Sequence, residues 1–514
     1  MVRVSVVTMP PHRPFCLACG VGAQLAWKTR HVSDFMPLVP TPPASPVPEG
    51  TKVRVDEDAT FIDRDLVSGG SPWRLLRLRG PSRAIVEGWR QGAPVRAGEE
   101  RFARTLVEQG LIHPQFDTPL SRDEIQVVIP LVDQVAALSS LLVQLQGYEV
   151  LVVDDGSADG EAVARCVRDY GASLHRIDIN RGPAHARNVG VQATTRKFIW
   201  FIDVDVSLDD ADRVARHLQS AFSDPLVAAV APRVRGTDGP SLRDHFEYHF
   251  GPLDMGAKSA LVVPGAAVSY VPSACLMVRR EAVGDGFDEA MRTGEDVDFV
   301  WRLHDQGWLV RYDAGVEVAH RARATWHDWW QQRVRYGASS ADLAKRHGKR
   351  LAPLRADTWT VVAWSSVLIG RPAAGARIVS GARRHARQRL FSSEENPDVA
   401  ADQVVTRNMV RAGGPLARAT VRTFGVVLLL SAVHPRLRAR ALGLFAVGSA
   451  WRWRHEQFHP TDVPFALVDD LAYGTGVLRG ALRARSLRTL TPDITKSNLG
   501  LREILGLPDG SPRV

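Results

Sequence analysis

The sequence predicts an α/β fold built on a Rossmann-like mixed sheet, preceded by a small α+β module and followed by a helical region. Three observations carry this expectation. The runs IQVVIP from Ile125, YEVLVVDDGS from Tyr148 and KFIWFIDVDV from Lys197 are short, continuous and rich in Val and Ile, the pattern of strands buried on both faces. Polar stretches of helical length separate them, as the crossovers between parallel strands require. Acidic groups close two of the runs, Asp154-Asp155 and Asp203-Val204-Asp205, and open α/β sheets bind ligands at the carboxyl ends of their strands.

Length and composition set the organisation. At 514 residues and 45% hydrophobic, the chain is too long for one ordinary domain and apolar enough for a sizeable core. Residues 1–50 read as a disordered tail and linker, because the stretch from Met36 to Glu49 is too rich in proline for a helix or a sheet ladder. Cys16 and Cys19 form a C-x-x-C pair, but Cys166 and Cys275 supply no second pair for a zinc ribbon. Residues 51–119 read as a hairpin-plus-helices module, with Gly69-Gly70 in the turn region and helical apolar spacing up to Gly110. Residues 120–337 hold the sheet domain, and residues 338–514 a helical region rich in Trp and Arg.

Two apolar runs in that last region, TWTVVAWSSVLIG from Thr358 and FGVVLLLSAV from Phe424, fall short of the roughly 20 residues a spanning helix needs. The plainer reading is a pair of buried helices. The sharper one is interfacial attachment to a membrane, helped by basic flanks at Arg436 to Arg440 and Arg452 to Arg454. A net charge of +9 suits anionic partners: nucleotides, phosphates, acidic lipid or nucleic acid. Four cysteines in so long a chain exclude a disulfide scaffold and fit a reducing compartment. The start of the chain lacks an apolar core followed by a cleavage site, so the expected location is the cytoplasm, with at most peripheral contact at the inner face of the cell membrane.

Asp203 and Asp205 alternate at the rim of a buried strand, where a divalent cation could be shared with diphosphate oxygens; hard oxygen ligands imply Mg2+ or Mn2+. Asp-Asp at a strand end can equally cap a following helix. Gly294-Glu295-Asp296-Val297-Asp298 opens a helix, and complementing its dipole explains one or two of these acids. Asp296 is the candidate general base for an acceptor hydroxyl.

In order, the chain shows VVIP ending at Pro130, VVDDGS ending at Ser157, RGPAHARNVG from Arg181 to Gly190, the D-x-D at Asp203 and Asp205, and GEDVDFVWRL from Gly294. These blocks resemble the family 2 glycosyltransferases, which have the GT-A nucleotide-diphospho-sugar transferase fold, and the resemblance covers roughly residues 124 to 337. It implies an inverting, metal-dependent hexosyltransferase. Pro130, Asp133 and Asp154 would line the nucleoside pocket, with Asp155 and Arg187 near the ribose and diphosphate. Asp203 would face the donor and, with Asp205 and His320 of VEVAHRAR, the Mg2+ or Mn2+. Glu295, Gln332 and Arg335 would lie on the acceptor side of the base Asp296. The family has Asn-Glu where this chain has Asp133-Gln134. The Gln-x-x-Arg-Trp of processive members becomes Gln332 to Tyr336, with Tyr in place of Trp.

The texts GGSPWRLLRL, VVPGAAVSYVPSA (Val262 to Ala274) and RTGEDVDFVWRL are similar to those of glycosyltransferases of mycofactocin biosynthesis. That likeness implies glucose passing from UDP-glucose to a peptide-derived redox cofactor, in one or more β-linked units, and a winged-helix-like, peptide-binding character for residues 51–119. The implied partners are a UDP-sugar, a peptide-derived small-molecule acceptor and a membrane surface, but no nucleic acid. A different cell-wall or polysaccharide acceptor, and a membrane-associated scaffold with a degenerate domain, are the alternatives. A nucleotidyltransferase is disfavoured, because LVDQVAALSS after the first strand holds no Gly-rich, basic triphosphate loop.

Overall fold

The computed structural model describes residues 4–6 and 40–495, apart from 64, 79, 324, 390, 393, 395, 457 and 458. Cys16 and Cys19 lie outside the described residues. The chain divides into two compact units: residues 1–59, 68–240 and 247–322 make the first, and residues 60–67, 241–246 and 323–514 the second. Most of the 51–119 module therefore belongs with the sheet domain, and the helical unit takes up the chain at Arg323, ahead of the expected boundary at 338.

The main sheet of the first unit has strands β1 (Ile125–Leu131), β2 (Glu149–Asp155), β3 (Ser173–Ile177), β4 (Phe198–Ile202), β5 (Val206–Ser207), β6 (Val227–Gly236), β7 (Ala260–Leu261), β8 (Cys275–Arg279) and β9 (Leu309–His320). Their order is β5-β9-β6-β8-β4-β1-β2-β3, with β7 added to β9. The four strands β4-β1-β2-β3 run parallel, while β8 pairs antiparallel with both β4 and β6. Every residue of Phe198–Ile202 is buried, which is why the run is continuously apolar and not alternating.

The crossover helices are Val135–Gln144, Gly160–Asp169 and Pro183–Ala193. Asp159 caps the second by accepting the Ala162 N–H, and Pro183 opens the third, where a missing N–H is harmless. Gly190 is required by contact: a Cβ there would stand 2.4 Å from Cγ1 of Val128 in β1. The parallel strands thus carry Pro130, Asp154-Asp155 and Asp203 to one end of the sheet.

In the 51–119 module, Lys52–Val55 pairs antiparallel with Ile112–Gln115, and the helices Ser82–Arg90 and Glu100–Glu108 meet through Trp89 and Phe102, stacked at 5.5 Å. Arg104 joins this module to the sheet domain. Its guanidinium donates to both oxygens of buried Asp224 at 2.8 and 2.9 Å, and its Nε to the Ser45 carbonyl at 2.7 Å. Parts of the expected disordered tail are ordered. Val4–Val6 pairs with the Arg74–Leu78 strand, Val47 is fully buried, and the Pro40 carbonyl accepts the Trp308 indole N–H. Proline removes donors but leaves carbonyls and apolar rings, so the segment docks without a ladder.

The second unit is helical. Trp326–His347 and Val463–Arg483 cross closely, since a Cβ at Gly337 would stand 2.0 Å from the Tyr473 carbonyl oxygen and one at Gly476 2.1 Å from that of Val334. Asp469 and Asp470, on the second of these helices, hold Arg333, Arg422 and Arg452. The plainer expectation for the two apolar runs fails. In Thr358–Leu368 the buried residues are Thr360 and Ala363, and in Gly425–Ser431 Gly425 alone is buried, so the bulky side chains of both helices are incompletely covered. Among the described residues, no helix is long and apolar enough to cross a membrane.

Candidate active site

At the end of β2, Asp154 is fully buried, with one carboxylate oxygen accepting the Ser157 N–H at 2.9 Å and the other the Arg176 guanidinium. Arg176 also donates to the Ser157 carbonyl at 2.9 Å. The DDGS turn is therefore held from within. Asp133 adopts a left-handed φ of 57°, a region Asp enters more readily than most residues. Its N–H donates to Ser157 Oγ at 2.9 Å and its carboxylate accepts the Ala158 N–H at 2.7 Å. Pro130 stands beside Val153 in the β1–β2 register. Pro130, Asp133 and Asp154 are thus brought together around one turn.

Asp155 faces the other way and receives the Arg181 and Gly182 N–H groups at 2.9 and 2.7 Å. A carboxylate gripping two amides at the entry of the Pro183–Ala193 helix satisfies orphan donors and complements its dipole. From that helix Arg187, 2% exposed, reaches two carboxylates: it donates to Asp203 Oδ1 at 2.7 Å and to Glu295 Oε1 at 3.0 Å. Burial opposes its charge, yet Asp203 and Glu295 outweigh that and raise its pKa further.

Gly294 begins the Glu295–Asp305 helix with φ 85°, a left-handed conformation that favours glycine. Asp296 follows, its oxygens accepting the Val297 N–H at 2.8 Å and the Ser273 N–H at 3.3 Å. Burial raises the Asp296 pKa above the ordinary carboxylate value, against the amides of Val297 and Ser273 and the charge of Arg187. Glu295 is pushed up to about 7, first by burial and then by the Asp296 charge, with Arg187 opposing. Catalytic acids and bases use burial and charged neighbours of this kind to shift their pKa, as structural ion-pair networks also do.

His320, closing β9, lies against Asp205, Nε2 to Oδ1 at 3.3 Å, and both side chains are largely buried. The pairing of Val206 with His320 and the Arg321 N–H on the Asp205 carbonyl bring them together. Asp203, expected to share this metal role, has one oxygen on Arg187. Among the described residues there is no group of three or more His, Cys, Asp and Glu that could hold a metal. A cation held by one carboxylate, with the imidazole beside it, would take its remaining ligands from phosphate oxygens and water.

Gln332 and Arg335, the other expected acceptor-side residues, lie on the Trp326–His347 helix of the second unit. Gln332 is buried, its amide oxygen accepting from Arg333 at 2.5 Å and its amide N–H donating to the Tyr336 hydroxyl at 3.1 Å. Arg335 is exposed. Sequence reasoning assigns no role to Arg176, whose strand SLHRI matches no motif. Nor does it assign one to Ser273, although VPSA is singled out around it.

The description Glycosyl transferase family 2 matches residues 132–287. A relative named pre-mycofactocin glycosyltransferase, from Mycobacterium tuberculosis H37Rv, is 35% identical over 475 residues, covering 88% of this chain and 99% of its own. The chain belongs to glycosyl transferase family 2. It is a glycosyltransferase with the GT-A fold, to which its mixed sheet conforms. The poly-beta-1,6-N-acetyl-D-glucosamine synthase of Staphylococcus aureus COL is 22% identical over 40% of this chain and 50% of that one. Among solved structures, a mannosyltransferase of Pyrobaculum calidifontis with GDP-Man and Mn2+ aligns at TM-score 0.40 and 17% identity, over 71% of this chain and 90% of that one. The TarS 1-349 structure from S. aureus, in complex with UDP, aligns at 0.31 and 16%, over 65% and 92%.

Proposed function

We propose that this family 2 enzyme transfers glucose from UDP-glucose, with inversion, onto a peptide-derived redox cofactor of the mycofactocin type, adding one or a few β-linked units. The observation that carries the chemistry is the Asp296 carboxylate at a helix N-terminus, oriented by the Ser273 and Val297 amides and raised in pKa by burial. A carboxylate shifted upward is a better proton acceptor near neutral pH. Asp296 takes the proton of the acceptor hydroxyl at one of its oxygens as that hydroxyl attacks the anomeric carbon.

Arg187, clamped by Asp203 and Glu295, fixes the first carboxylate of the D-x-D and supplies positive charge beside the departing diphosphate. Asp205 and His320 would hold Mg2+ or Mn2+, which when bound neutralises charge on the leaving diphosphate. Pro130 and Asp133 line the nucleoside pocket; Asp154 braces its turn through Arg176, and Asp155 sets the helix that presents Arg187. On the acceptor side Glu295 borders the base Asp296. The acceptor and UDP-glucose assignments draw support from the 35% identical pre-mycofactocin relatives and the shared motifs. Low cysteine content, with Cys166 and Cys275 unpaired, supports a cytoplasmic location.

The test is a donor screen of purified protein with UDP-glucose, other UDP-sugars, GDP-sugars and dTDP-sugars, with and without Mn2+. Selective, Mn2+-stimulated turnover of UDP-glucose that Asp296→Asn removes supports the reading. Preference for another donor, or turnover indifferent to Asp296, refutes it.

A further inference from the structure

The second unit contains a stretch unlike the rest of the chain. From Gln403 to His455 there are nine arginines and no aspartate or glutamate. Arg422 and Arg452 are consumed by buried Asp469 and Asp470. Within the stretch, Gly425–Ser431 and Pro435–Glu456 form a helical hairpin. Around its turn Leu430 is 65% exposed, Val433 74% and Leu437 45%. Arg436, Arg438 and Arg440 are exposed on the same turn and the helix that leaves it, and Arg438 Nε donates to the Ala432 carbonyl at 3.1 Å, tightening the turn.

Branched aliphatic side chains grouped on a surface are unfavourable in water and mark a binding face when contiguous. Several occupants can be weighed by chemistry. Nucleic acid would use the arginines but leave Leu430, Val433 and Leu437 unexplained, because backbone recognition is a matter of charge. A second copy packed tip to tip would bring arginines of like sign together, with no acid in the stretch to offset them. A spanning helix is excluded for the described residues. An anionic bilayer satisfies both halves of the pattern: aliphatic groups enter the boundary between headgroups and chains, and arginines reach lipid phosphates over their apolar stems.

We propose that the 430–440 hairpin tip docks on an anionic membrane surface, with Leu430, Val433 and Leu437 inserted and Arg436, Arg438 and Arg440 paired with lipid phosphates. The proposal rests on the helical unit alone and is independent of the donor and acceptor assigned above. Its test is sedimentation of the full chain with vesicles of phosphatidylcholine containing phosphatidylglycerol, against vesicles of phosphatidylcholine alone. Partition is expected onto the anionic vesicles and not the neutral ones. Each arginine near such a surface contributes about fivefold, so the triple change Arg436→Gln, Arg438→Gln, Arg440→Gln should weaken partition about a hundredfold. The pair Leu430→Ser, Val433→Ser should weaken it about tenfold or more. All the altered side chains are exposed, so unchanged circular dichroism and sugar-nucleotide turnover report intact folding. Absence of partition by the native chain overturns the proposal, as do serine variants that partition like the native chain. A vesicle-indifferent dimer dissolved by the serine changes would assign the face to a second copy instead, and overturn it equally.

Discussion

Replacing Glu295 by glutamine should make the protein more stable at pH 8 and less active. Glu295 titrates near 7 in the folded chain, against an unperturbed 4.5. A carboxyl whose folded pKa is raised contributes stability that is fully present below the unfolded value and is lost as pH climbs through the folded one. Between pH 4.5 and 7 the unfolded chain has released this proton and the folded chain retains it, so stability falls by about 3 kcal/mol at 1.36 kcal/mol per pH unit. Glutamine keeps the carbonyl oxygen for Arg187 and cannot ionise, so this loss disappears. Urea unfolding of native protein and Glu295→Gln at pH 5 and pH 8 measures the difference directly. The variant should gain about 2–3 kcal/mol relative to the native chain on going from the lower to the higher pH. Identical pH slopes for the two proteins would refute the account of a buried, proton-holding Glu295. Activity should move the other way. Above pH 7 Glu295 ionises beside Asp296, whereas the glutamine variant leaves that neighbour neutral and Asp296 a weaker base in the alkaline range, a trade of activity for stability.

Other expectations follow from the same geometry. Asp296→Asn should lower kcat about a hundredfold or more with little change in donor KM; steady-state kinetics with the preferred donor checks this, and an unchanged kcat removes Asp296 from the chemistry. Chelation should abolish turnover and Mn2+ restore it. Asp205→Asn should raise the Mn2+ concentration needed for half-maximal rate, and an unaltered Mn2+ titration would move the cation elsewhere. Arg104→Met leaves Asp224 buried without its bidentate partner, a loss of about 3–5 kcal/mol; a urea midpoint within error of the native one would show that the pair is dispensable.

Much of the catalytic half is legible in the sequence because its signals are local. A buried parallel strand writes itself as a continuous apolar run, and the residues that end it, Pro130, Asp154 and Asp203, arrive with it at one end of the sheet. What stays hidden is who partners whom. Arg187 reads as a diphosphate contact from its motif, yet its guanidinium lies between Asp203 and Glu295, the latter 108 positions away. No spacing rule reaches that far. Arg176 is invisible for the same reason: one basic residue on an exposed strand carries no signature until Asp154 turns up beside it. The apolar runs at Thr358 and Phe424 are misread as buried because hydrophobicity reports what a side chain prefers, whereas coverage depends on which neighbours come to meet it.

The bond from Arg104 to Asp224 also bears on how far this enzyme can be trimmed. A motif search would place the start of a minimal catalytic fragment just ahead of Ile125. Such a fragment would lack Arg104, which neutralises the carboxylate two residues ahead of Leu226 and also ties down Ser45. Sequence boundaries and folding boundaries therefore part company here: a fragment that keeps Ser45 and Arg104 should outlast one begun at Ile125 in urea, and modules that look exchangeable on paper are inherited together.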